Sequence, residues 1–462
     1  MAGFARLYAE AGFGKHESFA AAVNSHPLAR RHGVTVSRVS IGRYLAGATV
    51  PSLTLARVVA AVLADRLGRS VTLNDVWPLA FAPAIGDLAL RYEPSLPATI
   101  ECVTELLAYE ADHSRARALA ALDFTPSGIS EAITRWRYGL ADTVEFGGSP
   151  GTRRVTLRQI AQLRETCTWF AELDHARGSG LIRSAVTACL HEQVTPMLRS
   201  EFTESLGRSL FAAAAEMLQL AGWMAYDLER QGLAQRHYIQ ALRLARASGP
   251  ASRGIDAFIL TRMSQQALHQ NHPHEALYLA RAARDDVVLS GGTTPAVRSL
   301  AYVAEARACA QLCQHGDPHA ATVCRQALIA AEHELNACKH EGEPQWIAYF
   351  DQAELTAEIA HSLVMLGDMA AFTHLDEALA GKTPGRARDR LFCMLNLATA
   401  HIRNGDLEAA LSTAEQALPA IRSVTSNRVR SRFQSFRRAL PSKEPRVVTF
   451  NERVHDEFAD IA

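Results

Sequence analysis

The sequence predicts an all-α protein of at least two domains. Three observations carry that expectation. Ala and Leu dominate the 462 residues while aromatic residues make up 7%, and Ala and Leu have strong intrinsic helix preference. Downstream of Arg154 almost every stretch reads as a helix of roughly 15–25 residues between short turns, with no convincing period-two alternation. The length exceeds the ~250–300 residues at which a single hydrophobic core stops growing, so more than one unit is expected.

Hydrophobic residues at 48% and charged residues at 21% describe an ordinary globular chain and argue against long disorder. The formal net charge of zero hides an asymmetry: residues 1–80 hold nine Lys or Arg against four acids. A basic block joined to a mildly acidic body suits a phosphate-binding domain tethered to something else. The eight cysteines are scattered and mostly sit in apolar helical patterns rather than paired CxxC spacings, so buried reduced thiols are expected. No run resembles a signal peptide or approaches the ~18 apolar residues of a membrane span, and a cytoplasmic protein is expected. Gly147-Gly148-Ser149-Pro150-Gly151 is the strongest linker candidate, with a weaker break at Pro94 to Pro97.

The body carries an internal repeat. Leu218, Ala221, Gly222 and Ala225, followed by Ala234, Tyr238 and Ala241, have the small and large residues of a tetratricopeptide repeat at its spacing. The lattice recurs from Leu260 to Ala283, from Ala304 to Ala327, more weakly around Gly367-Asp368, Ala371 and Ala378, and most clearly from Met394 through Gly405-Asp406 to Ala417. The marker alanines Ala234, Ala276, Ala320, Ala371 and Ala410 lie roughly 40 to 50 residues apart, longer than the ~34 of a regular repeat, so extended helices or loops are expected. Small residues are needed where two helices approach closely. Hairpins that cannot bury their own apolar faces stack into a superhelix with a concave groove. An irregular helical bundle is the other reading of the same pattern.

Near the N-terminus, Ser40-Ile41-Gly42-Arg43-Tyr44-Leu45-Ala46-Gly47, then Pro51-Ser52-Leu53 and a further apolar-periodic stretch, resembles the second half of a lambda-repressor-like helix-turn-helix domain of the xenobiotic-response-element type. Pro27 to Val34 resembles the helix before the turn, with Gly33 at the bend, while Thr35-Val36 makes that turn longer than usual. The recognition helix is expected from about Ser37 to Leu45, with Val39 or Ile41 and Leu45 facing the core and Ser37, Arg38, Ser40 and Arg43 facing outward. An outward Arg can bond guanine bidentately in the major groove, and Ser reaches bases or phosphates. Arg30, Arg31, Lys15 and His16 are the candidates for holding the phosphate backbone.

A wider resemblance rests on Leu67-Gly68-Arg69-Ser70-Val71-Thr72, on Tyr92-Glu93-Pro94-Ser95-Leu96, and above all on Ala221 through Leu228 with Gly232-Leu233-Ala234-Gln235-Arg236. Over roughly residues 17 to 290 the chain is similar to actinobacterial, Streptomyces-type transcriptional regulators that join such an N-terminal domain to tetratricopeptide-like repeats. That resemblance implies transcriptional control and dimerisation, without an operator or an effector. The expected parts are a helix-turn-helix DNA-binding domain at 1–80, a helical connector at 81–150, a tetratricopeptide-like α-solenoid at 151–440 and a C-terminal tail at 441–462.

Other chemistry is thinly represented. Gly12-Phe13-Gly14-Lys15 lacks the spacing and the Ser/Thr of a phosphate loop, and His191-Glu192 has no second His four residues on. His269, His272 and His274 suit an exposed turn better than a metal site, and Cys309, Cys313 and Cys324 hold positions where the repeat wants small residues. No catalytic set, metal site or cofactor is expected, and the chain reads as a non-enzyme. Counted on the repeat lattice, the concave face should present Trp223, Tyr226, Asp227, Arg262, Gln265, His269, Tyr302 and Glu305, a mixture suited to a peptide, a small amphipathic molecule or a protein effector. Arg428, Arg430, Arg432, Arg437 and Arg438, interleaved with Val429, Phe433 and Phe436, predict a capping helix with an arginine-rich polar side. The functional expectation is a homodimeric regulator that binds double-stranded DNA sequence-specifically. The alternative is a tetratricopeptide-repeat interaction scaffold without specific DNA binding.

Overall fold

A computed structural model describes residues 2–69, 71, 73–77, 85–139, 154–290, 293–337, 342–382 and 385–458. These are all-helical, and the one β feature among them is an isolated bridge between Arg154 and Glu201. No described helix is long and apolar enough to cross a membrane. The linker candidate at Gly147 to Gly151 lies outside the described residues.

Residues 2–77 close around a core of their own. Helices Ala2–Glu10, His16–Ser25, Pro27–His32, Arg38–Leu45 and Leu53–Leu67 bury Phe4, Leu7, Phe19, Val23, Ile41, Val59 and Leu63. Phe4, Tyr8, Phe13, Phe19 and Trp77 pack ring against ring at centroid distances of 4.8–6.1 Å. Such pairs add to their area burial because ring edges and faces carry opposite partial charge. The lengthened turn after Gly33 has a physical anchor. Asn24 accepts from the Val36 amide at 2.7 Å and donates to its carbonyl at 3.0 Å, which allows Val36 to be buried without orphaned backbone groups.

Consecutive helix pairs build the body: Glu204–Asp227 with Gln231–Ser248, Ile255–His269 with Pro273–Ser290, Pro295–Gln314 with Pro318–Asn336, Gln352–Leu366 with Ala371–Gly381, and Ala387–Arg403 with Leu407–Ser423. The two helices of each pair pack on each other, and each pair packs on the next. All five marker alanines are buried. The first helix of each pair runs into a left-handed residue, Glu229, Asn271, Gly316, Gly367 and Gly405 in turn. In the first pair a Cβ on Gly222 would lie 2.8 Å from the Tyr238 ring, so only a hydrogen lets the helices meet at that separation.

The described part of the helical connector expected at 81–150, residues 85–139, packs on the body. Helices Leu96–Ala111, His113–Ala120 and Pro126–Tyr138 pack on the Gln231–Ser248 helix, the last also on Pro273–Ser290, and Val103, Leu106, Ile133 and Trp136 join the body's core. One face of the Gln231–Ser248 helix presents Arg236, Gln240 and Arg243 at i, i+4 and i+7. Their side chains donate to the carbonyls of Leu88, Ala89, Arg91 and Glu93 at 2.8–2.9 Å. A buried carbonyl left without a donor costs about 1–3 kcal/mol. Burial lowers the Arg236 guanidinium to about 10, against the opposing charge of Asp87.

The expected tail at 441–462 packs on the body over part of its described residues. It includes helix Pro445–Phe458, whose Val447, Phe450 and Val454 are buried in one cluster with Phe433 and the Leu407–Ser423 helix. The i, i+3, i+7 spacing of those three residues puts them on one helix face.

Two outcomes are expected. Gly222→Ala should destabilise the fold by about 1–3 kcal/mol through overpacking. Gly232→Ala should be worse, because its Cβ would lie 2.3 and 2.5 Å from the backbone oxygens of Leu122 and Asp123; urea unfolding of both variants checks the order. Glu110 is buried between Arg183 and His237. Burial opposes its charge, but Arg183 and His237 outweigh it and hold the carboxyl at about 2, below its ordinary 4.5. Since the folded pKa is depressed, this stabilisation is complete above about pH 4.5 and lost as the pH falls toward about 2. Glu110→Gln should be less stable at neutral pH and should lose less stability than wild type over that acid interval.

Candidate functional site

Two places carry chemistry. The first is the face around helix Arg38–Leu45. Ser37 is its N-cap: the hydroxyl accepts from the Ser40 amide at 3.2 Å and lies 3.0 Å from the Ser40 hydroxyl. Ile41 is the residue that turns to the core, Leu45 is partly buried, and Val39 is 57% exposed. Val39, Arg43 and Ala46, at i, i+4 and i+7, therefore form an outward stripe. Arg38 is exposed but paired with Glu17 at 2.9 Å, a solvent-screened contact that contributes little stability. Its hydrogen bond is the first cause lowering the Glu17 carboxyl. Arg43, Arg30 and Lys15 are exposed, and none has a carboxylate within ion-pair distance among the described residues. The Arg31 side chain lies outside the described residues. His16 packs its ring 3.5 Å from where a Gly42 Cβ would stand. Other basic residues are engaged within the chain: Arg57 with Glu101 at 3.1 Å, Arg66 with the Ala11 carbonyl, and Arg69 with Glu10 at 2.8 Å.

The second place is the inner face of the body, and here several expected groove residues are elsewhere. Tyr226 and Asp227 are buried. Asp227 accepts from Ser426 at 2.8 Å and sits 3.7 Å from Arg428, whose guanidinium lies 4.2 Å from the Tyr226 ring centroid. Glu305 is buried under Arg281 and Arg284, at 3.0 and 2.7 Å. Tyr302 is half-buried against the core. His269 meets Glu229 at 3.6 Å and the edge of Tyr226. Gln265 accepts from Arg262 at 3.1 Å. Glu305 is covered by the second helix of the preceding pair, whereas Tyr226 and Asp227 are buried because the chain covers its own inner face. Helix Leu157–Arg177 packs on Glu204–Asp227 and Ala387–Arg403, and helix Asn427–Ala439 packs on Ala387–Arg403. The arginine-rich helix accordingly sends Arg428 and Arg432 inward, where burial lowers Arg432 to about 10.

Trp223 and Arg262 do line an opening, a cavity of about 670 Å³ between helix Leu157–Arg177 and the inner faces of Glu204–Asp227 and Ile255–His269. Its other walls come from residues that sequence reasoning did not single out: Asp174 and His175, Trp346 and Tyr349 in the connection before helix Gln352–Leu366, and Arg386. Asp174 is fully enclosed. It accepts from Ser179 at 2.5 Å, from the Trp223 indole at 3.0 Å and from Arg388. His175 lies 3.1 Å from Asp389. Burial opposes the charges on Arg388 and Asp389, but their mutual attraction and their other partners outweigh it, raising the guanidinium pKa and lowering the carboxyl pKa. A signal for Asp174 existed. Ile160, Leu163, Cys167, Phe170 and Asp174 are the buried positions of their helix, and their alternating three- and four-residue spacing makes Asp174 the one acid on an apolar stripe.

Residues 4–76 match the family profile described as the SP15 N-terminal domain. The span coincides with the separate N-terminal core. No curated protein and no solved structure matches the chain.

Removing either member of the Asp174–Arg388 pair leaves a buried charge short of a partner, which costs about 3–5 kcal/mol. Asp174→Asn and Arg388→Met should each lower stability on that scale. The double variant should lose less than the two single losses together, as read by denaturant unfolding in a double-mutant cycle.

Proposed function

We propose that this chain is a sequence-specific DNA-binding transcriptional regulator that acts as a homodimer. Its N-terminal unit is read as a lambda-repressor-like helix-turn-helix domain, and its body as a tetratricopeptide-like stack that senses an effector. The observation that carries the reading is the outward stripe of helix Arg38–Leu45, with Arg43 exposed and no acid paired to it among the described residues. In this reading the helix lies in the major groove, Arg43 donates to guanine O6 and N7, and Val39 meets a thymine methyl group. Lys15 and Arg30 meet phosphates, which sets register without reading sequence. Arg38 must exchange Glu17 for a phosphate or base, and Ser37 contributes mainly by starting the helix. The burial of the marker alanines and the left-handed residue recurring after the first helix of each pair support the repeat reading of the body.

A dimer would place two heads on half-sites about 34 Å apart or a multiple of that. A small change in the body's curvature then decides whether both engage. The test is genomic DNA capture with the full chain, followed by titration of enriched sites against scrambled DNA at physiological salt. A recurring two-fold-related motif bound about a thousandfold or more over scrambled DNA supports the reading. Absence of enrichment, with cell extract supplying any effector, favours the interaction scaffold instead. Arg43→Ala should weaken specific binding by about 1–3 kcal/mol and relax preference at one base position. An equal loss on all sequences would make Arg43 a phosphate contact.

A further inference from the structure

The cavity behind Trp223 is lined by a partly buried cation that has no counter-charge among the described residues. Arg164 is paired with Glu216 at 3.2 Å, Arg386 with Asp351 at 3.3 Å, and Arg388 with Asp174. Arg262 has no carboxylate within ion-pair distance among the described residues. It donates only to neutral groups, the Gln265 amide oxygen and the Tyr349 hydroxyl, and its buried Nε has no partner. These contacts hold the guanidinium in place, and three rings surround it, with centroids 4.3 Å (Trp223), 4.8 Å (Phe258) and 5.3 Å (Tyr349) from its carbon. Such stacking orients a cation without neutralising it.

The walls define the remaining chemistry. Phe258 and Trp346 pack with their rings tilted and their centroids 5.0 Å apart, and Cys167, Ala171 and Leu220 add apolar lining. The volume of about 670 Å³ falls within the ~300–1,000 Å³ typical of small-molecule sites. An extended peptide is disfavoured, because helix Leu157–Arg177 already covers this part of the inner face and most polar lining groups have partners. Arg253 and Glu172 line the cavity but are exposed and opposite in sign. One unmatched, partly buried positive charge calls for one negative charge.

We propose that this cavity binds a small organic monoanion, a carboxylate carried on a flat apolar ring system, with Arg262 meeting the charge and the aromatic wall meeting the ring face. The assignment rests on the sensing role proposed above. The probes are benzoate, 2-naphthoate and 2-anthroate, each with its neutral amide, titrated into the full chain without DNA. Binding is read by calorimetry and by tryptophan fluorescence, which Trp223 and Trp346 should dominate in response. The expected result is one saturable site per chain, affinity rising with ring count, and each acid bound roughly tenfold or more tightly than its amide, the scale of a charge-assisted hydrogen bond. Arg262→Gln should erase the acid-over-amide preference while leaving amide binding, and Arg262→Lys should retain it. Ala171→Trp, which fills the cavity from its apolar lining, should abolish both and serves if the Arg262 variants fail to fold. Acids that do not saturate, acids and amides of equal affinity, or a preference that survives Arg262→Gln would each overturn the assignment. Because no DNA is present, failure here leaves the DNA-binding reading intact, and failure of DNA capture leaves this site intact.

Discussion

The carboxylate of Asp174 is where three distant parts of the chain are joined, and the closed interior depends on it. It sits on helix Leu157–Arg177, accepts from Trp223 on the first helix pair, and pairs with Arg388 on the fifth. A carboxylate removed from water is tolerated only when hydrogen bonds and an opposite charge replace its hydration. Those replacements come from both ends of the stack, so satisfying Asp174 requires the ends to be brought together around the covering helix. The backbone repeats the connection next door: Thr425 donates to the Arg177 carbonyl at 3.0 Å, and Gly180 donates to the Thr425 carbonyl at 3.1 Å.

From that closure follows the unusual chemistry of the inner face. Residues that an open groove would show to water are instead under Arg262, Arg388 and Arg428, whose guanidinium groups lie 4.3, 5.3 and 5.1 Å from the Trp223 ring centroid. A flat, weakly hydrated cation can lie against an indole at smaller cost than an ammonium group. The cavity lies where the covering helix and the second pair stand apart. The half-exposed Arg57–Glu101 pair links the N-terminal unit to this body, and beside it burial raises the Glu101 and Glu105 carboxyls, the latter to about 7. Exposed pairs of this kind contribute little stability.

Much of the local structure was legible before any tertiary contact was known. Gly33 at a left-handed position with φ +61° and the helix from Arg38 to Leu45 follow from short-range rules of turn and helix chemistry. The small residues around Gly222 and the buried marker alanines follow from helix spacing. The Gly232 to Arg236 motif was visible as a resemblance but not as a cause. Its cause is that Gly232 admits the 122–123 backbone and Arg236 holds the 86–88 carbonyls, contacts more than a hundred residues apart in sequence. Asn24 escaped notice for a related reason, since an Asn pairing with a backbone twelve residues away leaves no periodic trace.

The sequence by itself determined that the chain is helical, that a small unit with its own core precedes a larger body, and which faces of most helices are apolar, because these are set by propensity, period and capping within a few turns. The tertiary structure decided what covers the inner face. Tyr226 and Asp227 read as groove residues on their own helix pair, but whether a polar inner face meets water depends on which distant segments fold over it. Here helices Leu157–Arg177 and Asn427–Ala439 do so. Their arginines and Asp174 are chosen by charge complementarity across the whole chain, a long-range condition that no local pattern encodes.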